Sequence, residues 1–232
     1  MTEGSGLEGV SRLLHGVLTR ACGAQRSPAP DLSSVVDQAG NLRISNRIER
    51  YWIGLLHAAF EIEYSKPTYA VFSKHCPNAD FGLHEYLFDL SVVRLRDRPA
   101  SSPDKGTHLP VIETPVWQVE SEMAGNGRSV AIDLGKLACG SAINKLLIVR
   151  RPKDGKSAPV SKVNSFVADV AGACIGNFFV AYLPVYAKGH TDLIAHWLNA
   201  GTYLPFEMYV RTQSGNTSVM EQVVSPKGVS SA

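Results

Sequence analysis

Apolar residues recur at helical spacing in two segments near the start of the chain. From Gly6 to Cys22 they stand three and four positions apart, which is the spacing of one helical face. A wider apolar stripe runs from Ile48 to Ile62, follows Ser45 as a suitable N-cap, and stops before Pro67. The pattern therefore predicts two amphipathic helices joined by a loop rich in Pro and Ser.

The middle of the chain changes to the two-residue period of strands. Residues 85–96 (EYLFDLSVVRLR) are rich in β-branched and aromatic side chains, and residues 115–123 (PVWQVESEM) form a second such segment. An amphipathic helix is predicted over residues 129–142, and residues 145–150 (KLLIVR) form a near-continuous apolar run. The order strand, helix, strand predicts a parallel pair joined by a right-handed crossover.

The C-terminal third contains one long apolar stretch, from Phe166 to Ala187. We interpret it as a buried core helix, because polar residues, glycines and a proline interrupt it and no membrane-type flanks frame it. A short helix over Thr191–Leu198 and a late strand over Tyr203–Thr212 are also predicted. Beyond Gln213 the chain is polar and low in complexity, which indicates disorder.

Composition limits the class of protein further. The 232 residues divide into a helix and loop over residues 1–40, a single α/β domain over residues 41–212, and a disordered tail over residues 213–232. The formal net charge is only +2, so any contact with nucleic acid must come from a local basic patch. Four widely spaced cysteines argue against a zinc knuckle or a disulfide framework, and the N-terminus does not have the order of a secretion signal. We therefore expect a cytoplasmic protein that does not contact the membrane.

Carboxylates cluster at the end of the strand over residues 115–123. Alternation places Gln118, Glu120 and Glu122 on one face. Repulsion between two such carboxylates, about 1 kcal/mol at partial exposure, must be offset by a cation, a proton or water. We take Asp89, in the earlier apolar strand, as a third oxygen donor. Aspartate is disfavoured in strands and is almost never buried without a partner, so a cation or a hydrogen-bond donor is expected beside it. The pattern predicts a divalent-cation site, while hydrogen bonds from backbone N–H groups to Asp89 remain an equal explanation of that residue.

Positive charges offer contacts to this site and to phosphate groups. Lys136, on the helix after the acidic strand, either reaches back to the carboxylates or pairs with Asp133 on the surface. Phosphate contacts are predicted for two basic groups, although solvated side chains at strand exits and in loops explain the same pattern. These groups comprise Arg94, Arg96, Arg150, Arg151, Lys153 and Lys156.

The constellation of Asp89, then Glu120-Ser121-Glu122, a helix and an apolar strand resembles the PD-(D/E)XK nuclease superfamily. That superfamily carries an Asp on one strand, and an acidic residue and a Lys two positions apart on the next. Glu122 stands where Lys is usual, as it does in some restriction enzymes of the superfamily. The resemblance covers roughly residues 47–150 and implies a restriction endonuclease-like mixed sheet flanked by helices, with an α-β-β-β-α-β core.

The resemblance also implies a chemistry. Asp89 and Glu120 would bind Mg²⁺ or Mn²⁺, with the backbone carbonyl of Ser121 as a further ligand. Glu122 would orient or deprotonate the attacking water, and Lys136 would replace the missing motif lysine. This predicts a metal-dependent phosphodiesterase that acts on nucleic acid, expected to be DNA. Because restriction-like nucleases commonly pair as homodimers, the resemblance also implies a homodimer. Two other interpretations stay open: a nuclease-like nucleic-acid-binding module without catalysis, and a structural or assembly protein.

Overall fold

A computed structural model gives the architecture of the chain as a mixed α/β fold. It describes residues 6–23, 44–76, 78, 80–81, 83, 86–96, 100–101, 108–109, 111–123, 127–150, 160–183, 206–214 and 217–223. The helices are α1 (Leu7–Gly23), α2 (Ile44–Glu63), α3 (Gly127–Cys139) and α4 (Val160–Ala171). The strands are β1 (Tyr69–Ser73), β2 (Leu90–Leu95), β3 (Ala100–Ser101), β4 (His108–Leu109), β5 (Ile112–Glu122), β6 (Asn144–Arg150), β7 (Asn177–Leu183), β8 (Glu207–Ser214) and β9 (Thr217–Gln222).

Seven of these strands form one mixed sheet in the order β1-β2-β5-β6-β7-β8-β9, and β3 pairs with β4 apart from it. The central strands β5, β6 and β7 are parallel, and the strands outside them pair antiparallel. Helix α3 connects β5 to β6, and α4 lies between β6 and β7 in the chain. The predicted parallel pair with a helical crossover is therefore confirmed, as is the α/β class.

The central strands are buried on both faces. Trp117, Leu146 and Ile148 pack in a cluster with apolar side chains of α1 and α2. Leu147 and Val149 pack in a second cluster with α3 and α4. Because neighbouring residues of a strand point to opposite faces, these strands carry apolar side chains on both faces, and two helical layers enclose the sheet.

Both predicted N-terminal helices are confirmed. Helix α2 begins at Ile44, so Ser45 lies in its first turn rather than before it. The strand predicted over residues 85–96 is shorter in the structure, where β2 begins only at Leu90. Among the described residues, no helix combines the length and the apolar character needed to cross a bilayer.

The predicted helix over Phe166–Ala187 is wrong. Helix α4 ends at Ala171, and Asn177–Leu183 form β7, which pairs with β6 on one side and β8 on the other. Gly176 makes the change of direction possible, with a φ of +85° and a position where a Cβ atom would stand 2.2 Å from the carbonyl oxygen of Ile143. A strand buried on both faces has no alternation, so its sequence pattern is the same as that of a buried helix.

The end of the chain also differs from expectation. The late strand is β8, which extends to Ser214, and β9 pairs antiparallel with it from Thr217 to Gln222. Disorder from Gln213 onward is therefore wrong for β9, whose polar side chains suit the exposed edge of a sheet. The helix predicted over residues 191–198 lies outside the described residues.

Candidate functional site

The antiparallel pairing of β2 with β5 brings the candidate carboxylates together. Leu90, the first residue of β2, is paired with Val119 of β5, so the start of one strand lies beside the end of the other. Asp89 directly precedes β2, and its Oδ2 atom accepts a hydrogen bond of 2.9 Å from the backbone N–H of Ser121. The backbone hydrogen bond expected as one explanation of Asp89 is therefore present, and it places Asp89 next to Glu120.

Glu120 is the most deeply buried carboxylate of this group, with 1% of its surface exposed. Its Oε2 atom accepts a hydrogen bond of 2.9 Å from Nζ of Lys136 on α3. Its Oε1 atom is buried and has no hydrogen-bond partner among the described residues. A buried carboxylate oxygen without a partner is costly, so a cation or a proton at Oε1 would stabilise this arrangement.

The electrostatics of Glu120 follow from that burial. Desolvation, with smaller contributions from the charges of Asp89 and Asp133, raises the pKa of Glu120 to about 8 against the opposing effect of Lys136. Lys136 also donates a hydrogen bond of 2.9 Å to Oδ1 of Asp133, so its ammonium group bridges two carboxylates. The predicted Asp133–Lys136 pair and the predicted reach of Lys136 to the acidic strand thus occur together.

A second lysine completes the other side of the site. Lys74, in the turn after β1, places Nζ 3.4 Å from Oδ1 of Asp89 and 3.1 Å from Oε1 of Glu49 on α2. His75 Nε2 lies 3.7 Å from the same Glu49 oxygen. Burial raises the pKa of Asp89, with Lys74 opposing that effect. The site therefore contains two ammonium groups, each placed between two carboxylates.

The sequence offers Glu49, Glu61 and Glu63 of α2 as candidates for one outer ligand without distinguishing them, and it does not point to Lys74. The structure separates the three glutamates through their partners. Glu61 lies 3.4 Å from His57, and Glu63 pairs with Arg20 at 2.6 Å, whereas Glu49 joins the Asp89 group. Lys74 follows a strand without any motif around it, so no local signal could have marked it.

The two remaining motif residues lie at the same end of β5. Glu122 is its last residue and is 8% exposed. Ser121 is 5% exposed, and its buried hydroxyl oxygen has no hydrogen-bond partner among the described residues. Within the described ranges, no three His, Cys, Asp or Glu side chains are grouped closely enough to hold a metal ion. The carboxylates of Asp89 and Glu120 interact electrostatically and, as oxygen donors, fit a hard cation that keeps most of its coordinated water.

Gln118, which shares a face of β5 with Glu120, has a structural contact. Its side-chain oxygen accepts a hydrogen bond of 3.1 Å from the N–H of Ala142. A Cβ atom at position 140 would stand 2.1 Å from that oxygen, so the contact requires Gly140. Gln118 therefore orders the connection between α3 and β6.

The predicted phosphate contacts divide according to their position on the sheet. Arg94 lies five residues beyond Asp89, about 16 Å along β2, and Nε of Arg94 is 3.1 Å from Oε2 of Glu113. Arg96 is exposed just beyond the same strand end, so the fold does not bring this pair to the carboxylates. Arg150 ends β6, parallel to β5, and its backbone therefore lies at the same sheet edge as Glu122. Arg151, Lys153 and Lys156 lie outside the described residues.

A second polar group has the composition of a nucleophilic relay but not its accessibility. Ser73 Oγ is 3.0 Å from Nδ1 of His57, and Nε2 of that histidine is 3.4 Å from Glu61. Ser73 is 0% exposed. Because substrate cannot reach a fully buried hydroxyl group, these residues link α2 to β1 and do not form a hydrolytic site.

Searches against protein-family models, curated proteins and solved structures find no match to this chain. The function is therefore argued from the geometry of the strand-end site, which we define as Glu49, Lys74, Asp89, Glu120 and Lys136.

Proposed function

We propose that the protein is a metal-dependent phosphodiesterase that hydrolyses nucleic acid, expected to be DNA, at the strand-end site. The buried carboxylate of Glu120 carries the proposal, because its Oε1 atom has no hydrogen-bond partner within the described part of the chain and Asp89 is held beside it through the Ser121 amide. If Glu120 had only a structural role, an apolar or amide side chain at position 120 would give a more stable fold.

The order of elements supports a restriction endonuclease-like fold as part of this proposal. Leaving aside the separate β3–β4 pair, the chain runs α2, β1, β2, β5, α3, β6, which follows the α-β-β-β-α-β order implied by the resemblance. Asp89 directly precedes the second of these strands, Glu120 lies near the end of the third, and the two strand ends adjoin.

Asp89 and Glu120 would hold Mg²⁺ or Mn²⁺, and the backbone carbonyl of Ser121 would be a further ligand. The bound ion supplies a Lewis acid for the phosphate and lowers the pKa of an attacking water molecule. Glu122, the last residue of β5, would orient that water and accept its proton. Lys136 provides positive charge beside Glu120, the role that a lysine at position 122 has in the resembled superfamily, and stabilises negative charge on the phosphate.

The decisive experiment titrates Mg²⁺ and Mn²⁺ against a supercoiled plasmid and a short duplex. We expect metal-dependent cleavage that chelation abolishes, and a loss of about 100-fold or more in Asp89→Asn and Glu120→Gln. Glu113→Gln is the matched control, because Glu113 lies on the same strand, is half-exposed, and pairs with Arg94 away from the site. Its rate should stay within about twofold of the unmodified protein.

Calorimetric titration with Mn²⁺ measures metal binding separately from cleavage and is a second test of the proposal. Absence of cleavage, together with Mn²⁺ binding that neither Asp89→Asn nor Glu120→Gln changes, removes both the metal site and the nuclease. DNA binding then distinguishes the two other interpretations. Affinity that falls steeply with salt indicates a nucleic-acid-binding module, whereas no affinity even at low salt indicates a structural or assembly protein.

A further inference from the structure

Leu87 lies two residues before Asp89 and is unfavourably placed in both backbone and side chain. Its φ is 65°, and it is the only non-glycine residue of the described chain in the left-handed region. Its side chain is also 87% exposed. Leucine has no polar group to compensate for that backbone conformation, and exposed leucine gains little from packing.

The surrounding turn holds Leu87 firmly in this position. The N–H of Phe88 donates a hydrogen bond of 2.8 Å to the carbonyl oxygen of Tyr86, which closes a three-residue turn around Leu87. Ser91 Oγ donates to the same carbonyl at 3.2 Å. The Tyr86 ring meets the ring of Phe72 edge-on at 4.7 Å, and Phe88 is buried in the cluster with α3 and α4. Two anchored aromatic residues therefore present a single apolar side chain to solvent.

Strain that the surrounding structure maintains is typical of functional sites, and here it adjoins the strand-end site. Ile175 is equally exposed, at 88%, but its φ is not positive. It precedes β7, at the opposite end of the parallel strands from Glu122, and therefore lies away from the strand-end site. Leu87 combines exposure, strain and proximity to Asp89.

We propose that Leu87 is a wedge that inserts against the bases of duplex nucleic acid bound at the strand-end site. This inference rests on the proposed function. Apolar side chains inserted between base steps unstack and kink a duplex. Two residues span at most about 7 Å, the length of two base steps, so the wedge would act beside the phosphate held at Asp89. A protein partner would need some 20–30 residues of surface on this side, whereas the turn offers one apolar side chain between two inward-facing aromatics.

A base-stacking probe tests the wedge directly. The probe is a short DNA duplex carrying 2-aminopurine, with Ca²⁺ in place of Mg²⁺ to hold it uncleaved. We expect fluorescence to rise when the unmodified protein binds, and this rise to be lost in Leu87→Ala and Leu87→Gly. With Mg²⁺, the ratio of duplex cleavage to hydrolysis of bis(p-nitrophenyl) phosphate should fall about tenfold in both variants. Ile175→Ala, matched in exposure, should leave the fluorescence and the ratio unchanged.

Each outcome has a defined meaning. If the protein hydrolyses the small phosphodiester and Leu87→Ala changes neither fluorescence nor the ratio, the wedge is overturned while the proposed function stands. No binding of the duplex by the unmodified protein overturns both. Leu87→Gly should also raise Tm, because glycine adopts a positive φ without strain. A lower Tm, or self-association that depends on Leu87, overturns the wedge in favour of a structural or interface role.

Discussion

The two ends of the central strands handle buried charge in opposite ways. At the end of β5, Glu120 is 1% exposed, and one of its oxygen atoms has no hydrogen-bond partner in the part of the chain that the structure describes. The charges that act on Glu120 include two further carboxylates. At the start of β6, Lys145 is also 1% exposed, but its Nζ atom donates hydrogen bonds of 2.7 Å to the carbonyl oxygens of Ala142 and Ile175.

Arg211 extends the satisfied arrangement around the start of β7. Its guanidinium group donates to the carbonyl oxygens of Ala171, Cys174 and Gly176, the contact with Cys174 being 2.7 Å. These acceptors are neutral backbone groups at the turn between α4 and β7, so the two cations brace a corner of the fold. The two regions therefore differ in how their buried charges are paired and not in how deeply those charges are buried.

The largest expected effect is on stability, at the corner of the fold that Lys145 and Arg211 hold together. Lys145→Ala removes both hydrogen bonds and most of a buried side chain, so we expect the free energy of unfolding to fall by about 3–5 kcal/mol. Lys145→Met retains the apolar stem and should lose about half as much. Urea denaturation measures both values. A loss below about 1 kcal/mol for the alanine variant would show that Lys145 is not a structural element of the corner.

A smaller effect is expected for Glu120→Gln, and it depends on pH. Because the pKa of Glu120 is raised to about 8 in the folded protein, from an ordinary value of 4.5, the folded state binds this proton more tightly than the unfolded state does. That stabilisation is fully present below the ordinary value and is lost as pH rises towards the folded value. Glutamine removes the charge, so the variant should gain about 1–3 kcal/mol over the unmodified protein near pH 9 and little near pH 5.

Thermal unfolding across this pH range measures the difference in Tm between Glu120→Gln and the unmodified protein. Glu113→Gln, which changes a half-exposed carboxylate on the same strand, controls for loss of a charge. A difference in Tm for Glu120→Gln that is constant from pH 5 to 9 would contradict the raised pKa.

The smallest effect on stability is expected at Lys74. Its side chain is 44% exposed, so its ion pairs with Glu49 and Asp89 are screened by solvent, and Lys74→Met should cost about 1 kcal/mol or less. The ammonium group also competes with any cation near Asp89. We therefore expect the affinity for Mn²⁺ in calorimetry to rise severalfold, while Lys162→Met, a change to an exposed lysine on α4, leaves it unchanged. Weaker Mn²⁺ binding in Lys74→Met would show that Lys74 supports the site rather than competing for it.

Local patterns were sufficient for part of the site. The side on which Glu120 lies follows from alternation along β5, and the helix that carries Lys136 follows from the amphipathic pattern after the turn. Asp89 was identified as a carboxylate out of place in an apolar segment, and it does adjoin Glu120. Glu49 and Lys74 could not be found in this way, because their relation to Asp89 depends on how α2 and β1 pack against β2.

The same limit explains the error at β7. Residues 177–183 (NFFVAYL) satisfy the pattern of a buried helix and of a central strand equally well. Pairing with β6 and β8 decides in favour of the strand, and a backbone turn at Gly176 gives the chain the direction it needs.

By itself, the sequence determined which side chains share a face of β5 and the order of β5, α3 and β6, because periodicity and turn residues act over a few positions. Only the tertiary structure decided which carboxylates meet, which lysines bridge them, and which buried charges find neutral partners. Those contacts join residues such as Glu49 and Asp89 across long stretches of chain, and the register between distant elements sets them.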